Sequence, residues 1–462
     1  MGGDGRSRNA SAQRSIGDVP PDIVGTGVAA SEPDGAPRVP LGPVVARLTG
    51  LNGLLMLLAL LTGPIQARVL GPDGRGEIAV ILTVLVLAPI LLDFGLSDFV
   101  ARERARGTSA GTVLGTTLPL AIGFALIGVA LAVPVSELLA QGRPVVERYV
   151  RITLLAMPLW VTGWMLLGVA RGEQRWAILY WQRAVTVIAS AVAIIGLALL
   201  GLLTVESLAI AMLVITLPGI AIALPVLRGV GDWHFDRELV RPALAFGSRS
   251  WITLVSSQGN YRLDQLVMAV VVSSRELGMY AVAVGFTAVL ASFVSAVSLA
   301  LMPRVAQQGA ESVPRIVRVA TLGLASGLAT IALLSPFVIP LLFGNEFKAA
   351  VPLVAVLVLG AFCIGISLIL GAALQGHGRP QDAMRPQLIG LLITIVGLAV
   401  ALDPLGALGA ALVSLVSYAV VLAGTVRAAT REFQVSRRML LLPRGEDVRW
   451  LILAIPGRAR PR

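Results

Sequence analysis

The chain has 462 residues, of which 56% are hydrophobic and 14% charged, with a mean hydropathy of +0.85. Soluble domains carry about 25% charged residues, so this composition excludes a water-soluble globular protein. The net charge of +11 indicates, in a membrane protein, positively charged cytoplasmic loops and contact with anionic lipid rather than a nucleic-acid partner. The single Cys363 excludes an internal disulfide, and His234 and His377 are too far apart in sequence for a metal cluster. We therefore expect no metal and no cofactor.

Residues 1–47 are rich in Gly, Ser, Pro, Asp and Arg and contain no apolar run long enough for a signal peptide. This composition predicts a disordered cytoplasmic tail. The chain then alternates between apolar stretches of roughly 20 residues, each able to cross a hydrocarbon layer of about 30 Å, and short clusters of Arg, Gly or Pro. The pattern predicts an all-α polytopic membrane protein with twelve transmembrane helices, near residues 48–70, 77–99, 112–133, 150–170, 178–202, 206–227, 246–272, 278–302, 319–343, 350–374, 386–402 and 406–426.

Basic residues beside the loops are about twice as numerous on one side of this arrangement as on the other. The positive-inside rule then predicts that both termini lie in the cytoplasm. Residues 228–245 become a cytoplasmic linker and residues 428–462 a basic cytoplasmic tail. Within that tail, residues 448–455 are too short to span a membrane and are better interpreted as an interfacial or packing segment.

An internal repeat divides the chain. The segment VLGPDGRGEIAV (69–80) matches VVSSRELGMYAV (271–282) at an offset of 202, and GVARGEQRW (168–176) matches AALQGHGRP (372–380) at an offset of 204. Six helices separate the copies, and six is an even number, so the two copies share one orientation. The repeat predicts two six-helix bundles, residues 48–227 and 246–427, related by a pseudo-two-fold axis along the membrane normal.

The seventh predicted span is unusually polar. At about 100° per residue, its polar side chains fall on two opposite stripes, so the helix either borders a cavity and a neighbouring helix or is locally broken. In the functional interpretation, Arg262 binds an anionic headgroup and Asp264 titrates or binds a coupling ion. The structural interpretation is an interhelical ion pair or hydrogen-bonded packing. The first stripe contains Thr253, Ser257, Asn260 and Asp264, and the second contains Gln258, Arg262 and Gln265.

The first predicted span carries Asn52, Thr62 and Gln66 within a narrow arc. Such a seam either lines a cavity or joins helices through amide hydrogen bonds. No hydrolase or transferase motif and no P-loop occurs in the sequence, and the short outer loops lack paired acidic residues. We therefore expect a protein that is not an enzyme.

Three segments resemble signatures of the polysaccharide transporter family, the lipid-linked oligosaccharide flippases of the multidrug/oligosaccharidyl-lipid/polysaccharide exporter superfamily. They are ARVLGPDGRGEIAV (67–80), YRLDQLVMAVVVSSRELGMYAVA (261–283), and PLLFGNEFKAAVPLVAVL (340–357) with LQGHGRP (374–380). The resemblance extends from about residue 48 to 427. It implies a central cationic cavity and outward transfer, by alternating access, of an undecaprenyl-diphosphate-linked oligosaccharide across the bacterial plasma membrane for cell-surface polysaccharide biosynthesis. Glycosyltransferases and the polymerase of the same pathway would be the protein partners.

Candidate site residues follow from this expectation together with helical phase. Arg262 and Arg249 are the candidates for the phosphates, and Asp264 is the candidate for ion coupling. Four amide side chains are the candidates for sugar hydroxyls: Asn52, Gln66, Gln258 and Asn260.

Three other functions compete with this one. A cation-coupled small-molecule or multidrug exporter of the same fold would need a negatively charged cavity. A membrane glycosyltransferase or polymerase would need catalytic acidic or Arg/His-bearing outer loops. A scaffold that recruits cytoplasmic glycosyltransferases would depend on the basic tail.

Overall fold

The computed structural model describes the backbone of residues 41–442 and 444–447, and the side chains of residues 58, 61–442 and 444–447. The predicted tail up to residue 40, the segment 448–455 and the side chain of Asn52 lie outside the described residues. One compact unit comprises residues 44–462, and the other, residues 1–43, is described only for its last three residues. The described part contains α-helices and short 3₁₀ segments and no strand.

Fifteen α-helices occur in the described part of the chain. They are α1 (Leu41–Leu92), α2 (Leu96–Ala105), α3 (Ala110–Ala130), α4 (Ala132–Ala140), α5 (Pro144–Leu155), α6 (Met157–Gly172), α7 (Trp176–Leu199), α8 (Val205–Ala223), α9 (Arg237–Val271), α10 (Ser274–Thr287), α11 (Ala291–Gln308), α12 (Val313–Phe343), α13 (Val351–Gly376), α14 (Pro380–Glu432) and α15 (Arg437–Leu441).

Two of these helices turn at a glycine and hold two spans each. In α14 the turn is at Gly406 (φ 52°, ψ −135°), and Thr394 donates a hydrogen bond of 2.9 Å to Ser417 across the two segments, which are therefore antiparallel. In α1 the turn is at Gly71 (φ 68°, ψ 179°). Glycine adopts such positive φ angles at no steric cost because it lacks a Cβ.

Eight helices of the described part are long and apolar enough to cross a membrane, and the pair α5–α6, bent by 50°, makes a ninth. The helix α14 counts once among these although it holds two antiparallel segments. The first segment of α1 and the polar α9 supply the other two of the twelve predicted spans. The predicted fold class, an all-α polytopic membrane protein, is confirmed.

Several helix ends differ from the predicted boundaries. The helix α1 begins at Leu41, inside the predicted tail, and α9 begins at Arg237, inside the predicted linker. The early start of α9 has a local cause, because the side chain of Asp236 accepts a hydrogen bond from the backbone N–H of Glu238 and caps the helix. The helix α14 continues to Glu432, inside the predicted basic tail.

The internal repeat is visible as a reciprocal contact. A Cβ added to Gly76 would lie 1.9 Å from the carbonyl oxygen of Ser274, and one added to Gly278 would lie 1.9 Å from that of Pro72. Gly76 and Gly278 are 202 positions apart, and so are Pro72 and Ser274. Each copy therefore makes the same contact with the other, as in an interface around a two-fold axis.

Loops and helix contacts repeat at offsets of 201 to 204 residues. Backbone with positive φ occurs at Gly107 and Gly309, at Gly142 and Gly344, and at Gln174 and Gly378. A Cβ on Gly172 would lie 2.5 Å from the Ala101 carbonyl oxygen, and one on Gly376 would lie 2.4 Å from that of Met302. These pairs confirm two halves related by a parallel pseudo-two-fold repeat.

Two ends of the helical unit are defined by contacts between turns. We call them the outer and inner ends, following the predicted orientation, and we call the predicted bundles the first and second halves. The outer end holds the turns near residues 71–76, 141–143, 200–204, 272–274, 344–350 and 406. The inner end holds the turns near residues 106–109, 173–175, 230–236, 309–312, 377–379 and 433–436, and the break at residues 93–95 lies within the second span.

Candidate functional site

The two halves are joined at the outer end by Arg143, which precedes α5. Its guanidinium donates hydrogen bonds to the hydroxyl of Ser274 (2.8 Å) and the carbonyl oxygen of Ala269 (2.9 Å), both in the second half. The same side chain donates to the carbonyl oxygens of Leu139 and Ala140 in its own half. Because one guanidinium binds groups of both halves, it acts as a clamp across the outer end.

Further contacts close the same end. The Arg68 guanidinium donates to the carbonyl oxygens of Leu341 and Leu342 at the end of α12, with an Nε–O distance of 2.8 Å to Leu342. The Arg275 guanidinium lies 3.8 Å from a carboxylate oxygen of Asp73. Together with the close approach of the two repeat copies, these bonds seal the halves against each other at the outer end.

Nearer the inner end, a cavity of about 790 Å³ lies between α7 of the first half and α11 and α13 of the second. We call it the mouth cavity. Arg183 on α7 is its one charged lining residue in the described part of the chain. The remaining lining residues are uncharged: Ala291, Ser292, Val294, Ser295, Ser298, Leu299, Met302, Leu368, Ala372 and Gln375. A gap with one guanidinium, three serines and one glutamine among its lining residues therefore lies between the halves at this level.

A second cavity, of about 470 Å³, lies among the helices of the second half. We call it the second-half cavity. It shares four lining residues with the mouth cavity, Ala291, Val294, Ser295 and Leu368, so the two cavities are adjacent. Its polar wall consists of side chains from α9, α10, α11 and α14: Ser257, Gln258, Tyr261, Asp264, Tyr280, Thr287, Ser295, Ser414 and Tyr418.

Asp264 lies in this wall and is 3% exposed. One carboxylate oxygen accepts a hydrogen bond from the Tyr280 hydroxyl, and the other accepts one of 2.7 Å from the Gln265 backbone N–H. The Ser414 hydroxyl lies 3.4 Å from the Tyr280 hydroxyl. A carboxylate held by neutral donors beside a cavity can exchange a proton or a small cation. In the described part of the chain, no group of three His, Cys, Asp or Glu side chains could hold a metal ion.

The predicted phosphate ligands do not line either cavity. Arg262 makes no hydrogen bond or ion pair with any described residue, and its charge interacts with those of Asp264 and Arg75. Arg249 is exposed and likewise has no partner in the described part of the chain. Both guanidinium groups are therefore uncommitted, but the structure does not bring them together.

The predicted amide ligands divide between two environments. Gln258 lines both the second-half cavity and a cavity of about 370 Å³ in the first half. Asn260 instead packs against α14, where its amide donates to the backbone and side-chain oxygens of Gln387, both at 3.0 Å. Gln66 accepts a hydrogen bond of 2.9 Å from Arg75 across the turn of α1. Asn260 and Gln66 thus have packing roles here.

The helix α9 is unbroken from Arg237 to Val271, which decides between the two alternatives for its polar stripes. One stripe faces the second-half cavity through Ser257 and Asp264. On the other stripe, Gln265 accepts a hydrogen bond of 3.2 Å from Thr83 of α1. The helix therefore borders a cavity on one side and the first half on the other.

Sequence reasoning missed the residues that act between elements. Arg183 looked like a loop residue because it lies near the start of an apolar run. Arg143 gave no signal, since its partners are mainly backbone carbonyls. Tyr280 lies in one of the family-like segments, but its hydrogen bond to Asp264 could not be deduced from the sequence.

Comparisons with known proteins identify a family and a relative of similar sequence. A family model described as "Polysaccharide biosynthesis protein" matches residues 65–352. The chain is 24% identical over 368 residues to the probable low-salt glycan biosynthesis flippase Agl15 of Haloferax volcanii, an alignment that covers 77% of this chain and 76% of that protein.

Two solved structures share the fold. One is the lipid II flippase MurJ in an inward closed conformation, with a TM-score of 0.69 and 12% identity, covering 90% of this chain and 94% of that one. The other is a multidrug resistance MATE family transporter of the MOP superfamily in an inward-facing conformation, with a TM-score of 0.66 and 16% identity, covering 85% of this chain and 98% of that one.

Proposed function

Because this chain belongs to the polysaccharide biosynthesis protein family, we propose that it flips a polyprenyl-diphosphate-linked oligosaccharide from the cytoplasmic to the outer leaflet by alternating access. The chain is a multi-pass membrane protein of this family, and relatives of similar sequence or fold are flippases and transporters. The substrate class, the direction of transfer and the mechanism are our proposal.

One observation carries the proposal. The halves are bonded to each other at the outer end, whereas a polar gap with an arginine lies between them nearer the inner end. A diphosphate and sugar crossing hydrocarbon need a hydrated, positively charged path, while the polyprenyl tail can stay in lipid. An opening on the inner side gives the headgroup a place to enter from the cytoplasmic leaflet.

We assign the first phosphate contact to Arg183, since its guanidinium lines the mouth cavity. Arg262 and Arg249 remain candidates for contacts made after the halves rearrange, because both are free of partners in the described residues. Gln258 and Asn52 remain candidates for sugar hydroxyls. Asp264 is the proposed ion-coupling group.

The small-molecule exporter of the same fold is the weaker alternative. It would require acidic groups where an amphipathic cation enters. The mouth cavity carries Arg183 and, among its described lining residues, no Asp or Glu. This charge favours an anionic headgroup.

The proposal includes a setting. We propose that the protein lies in the plasma membrane of a bacterium with both termini in the cytoplasm. Its substrate would carry undecaprenyl diphosphate, and the glycosyltransferases and polymerase of the same pathway would be its partners. The excess of arginine near the inner turns supports this orientation.

Reversible crosslinking of the outer end tests the mechanism. In a Cys363→Ser background, Arg143→Cys and Ser274→Cys would be joined across the halves by a short, reducible, thiol-reactive crosslinker. If outer opening is required, flipping of a lipid-linked oligosaccharide in proteoliposomes should fall to background and return when the linker is cleaved.

The matched control is Arg148→Cys with Glu206→Cys. These residues also form an ion pair at the outer end, with an N–O distance of 3.0 Å, but both lie in the first half. The control crosslink should leave flipping at the uncrosslinked level. Flipping that continues with the first pair crosslinked would overturn the mechanism, and transport of small cations but no lipid-linked sugar would favour the exporter.

A further inference from the structure

A cavity of about 660 Å³ lies at the inner end of the second half, outside the proposed transport path. It is bounded by α11, α12 and the chain after α14. Four of its lining residues are arginines, Arg304, Arg315, Arg318 and Arg444, and we call it the arginine groove. The groove and the mouth cavity use different residues of α11 and have no lining residue in common.

The arginine groove carries a net positive charge. The side chains of Arg304, Arg315 and Arg444 form no hydrogen bond or ion pair with any described residue, and Glu311 is the one acidic residue in the described lining. The hydroxyl of Ser312, also in the lining, is buried and has no partner in the described part of the chain. Three guanidinium groups and an unused hydroxyl are suited to the oxygens of a phosphate.

A buried ion pair shapes one wall of the arginine groove. Arg318 of α12 donates to Asp447 through Nε (2.6 Å) and Nη2 (3.1 Å), and to the carbonyl oxygen of Met439 (2.7 Å). Hydrogen bonds from Arg318 lower the pKa of the Asp447 carboxyl, so it stays ionised at neutral pH. The same carboxylate accepts a 2.9 Å bond from the backbone N–H of Arg444, which fixes the backbone of Arg444 at the groove.

An apolar track leads away from the arginines. Along α11 the lining continues from Arg304 through Ala300 and Val297 to Phe293. At 1.5 Å per residue this is about 16 Å toward the middle of the membrane. Phe293 is 37% exposed, so the track is open at the surface of the helical unit, where lipid chains can reach it.

We propose that the arginine groove binds an anionic glycerophospholipid, with the phosphate held by Arg304, Arg315 and Arg444 and an acyl chain lying along Val297 and Phe293. A soluble phosphate would use the arginines but not the track. The track therefore favours the lipid. Basic pockets between transmembrane helices at an interface are suited to such headgroups.

The test measures retained lipid by native mass spectrometry of the full chain after incubation with phosphatidylglycerol or phosphatidylcholine. The variant is Arg304→Gln with Arg315→Gln, whose side chains are exposed, so folding should be unaffected. Each basic residue near a membrane surface is worth about fivefold in binding, so the variant should hold phosphatidylglycerol about 25-fold more weakly.

The matched control is Arg427→Gln with Arg431→Gln, which removes two exposed arginines near the inner end of α14, outside the groove. This control should retain phosphatidylglycerol as the wild type does. Phosphatidylcholine should be retained by neither the wild type nor the control. Equal retention by both double variants would overturn the proposal. Glycerol phosphate or inorganic phosphate, tested at the same concentration, should compete poorly; competition equal to that of the lipid would identify a soluble anion as the occupant.

Discussion

Asp264 shows how one side chain can be recognised in sequence while its surroundings cannot. Its carboxylate in a predicted span indicated either a coupling group or hydrogen-bonded packing, because such a group is costly unless it is paired or faces a cavity. The structure gives it a cavity and two donors, Tyr280 and the Gln265 N–H. Neither donor is charged, and Asp264 forms no ion pair in the described part of the chain, although the charge of Arg262 also acts on its carboxylate.

Asp264→Asn removes this charge with little change in shape. We expect ion-gradient-driven flipping in proteoliposomes to fall at least tenfold, while the protein remains folded, because the amide can neither titrate nor neutralise a cation. Asp403→Asn is the control, since Asp403 is an exposed carboxylate without a partner in the described part of the chain. Flipping at wild-type level in Asp264→Asn would remove Asp264 from the coupling mechanism.

At the scale of elements, α9 connects the two halves. Its inner part packs on the first half, where Trp251 donates a 2.9 Å hydrogen bond to the Leu91 carbonyl oxygen. Further along, it packs on α14 through Asn260 and Gln387 and again on the first half, where Gln265 accepts a hydrogen bond from Thr83. The helix assigned by sequence to the second half is thus shared, which explains why polar side chains occur on both of its faces.

Close backbone contact between the repeat copies makes Gly278→Ala informative. The added methyl would lie 1.9 Å from the Pro72 carbonyl oxygen, so either the outer end opens or the protein is destabilised by about 1–3 kcal/mol. The control is Gly285→Ala in the same helix, which meets nothing within 4 Å. The measurements are thermal melting in detergent and accessibility of an engineered outer-end cysteine. Equal behaviour of the two variants would contradict the contact.

Twelve apolar spans and a 202-residue repeat could be predicted because hydropathy and repetition are written locally in the chain. Helix ends such as Arg237 could not be predicted in this way. A capping residue such as Asp236 starts the helix inside a segment whose composition is typical of a linker. Asn260 and Gln66 were predicted to bind sugar hydroxyls, and in the structure each forms a hydrogen bond with a neighbouring segment. An amide on a helical stripe looks the same whether its partner is a ligand or a neighbouring segment, and only the fold determines which.

For the whole molecule, the outer end and the mouth cavity are two aspects of one arrangement. The two pseudo-equivalent halves are bonded to each other at the outer end and separated by a gap nearer the inner end. If the halves rock about their shared axis, the outer end can open while the inner end closes. The number of bonds across the outer end then sets the balance between the two arrangements. Arg143 supplies two of those bonds with one side chain.

Arg143→Ala should therefore shift the protein toward an outward-open arrangement. Spin labels would be attached at Leu138→Cys and Leu405→Cys in a Cys363→Ser background. Double electron–electron resonance should then show a new, longer distance between the halves, because two hydrogen bonds between them, each worth about 1 kcal/mol, are lost. Arg151→Ala is the matched control, since Arg151 bonds Ser136 and Glu147 within its own half. If both variants keep the wild-type distance distribution, Arg143 is not a clamp and the outer end must be held by the backbone contact at Gly76 and Gly278.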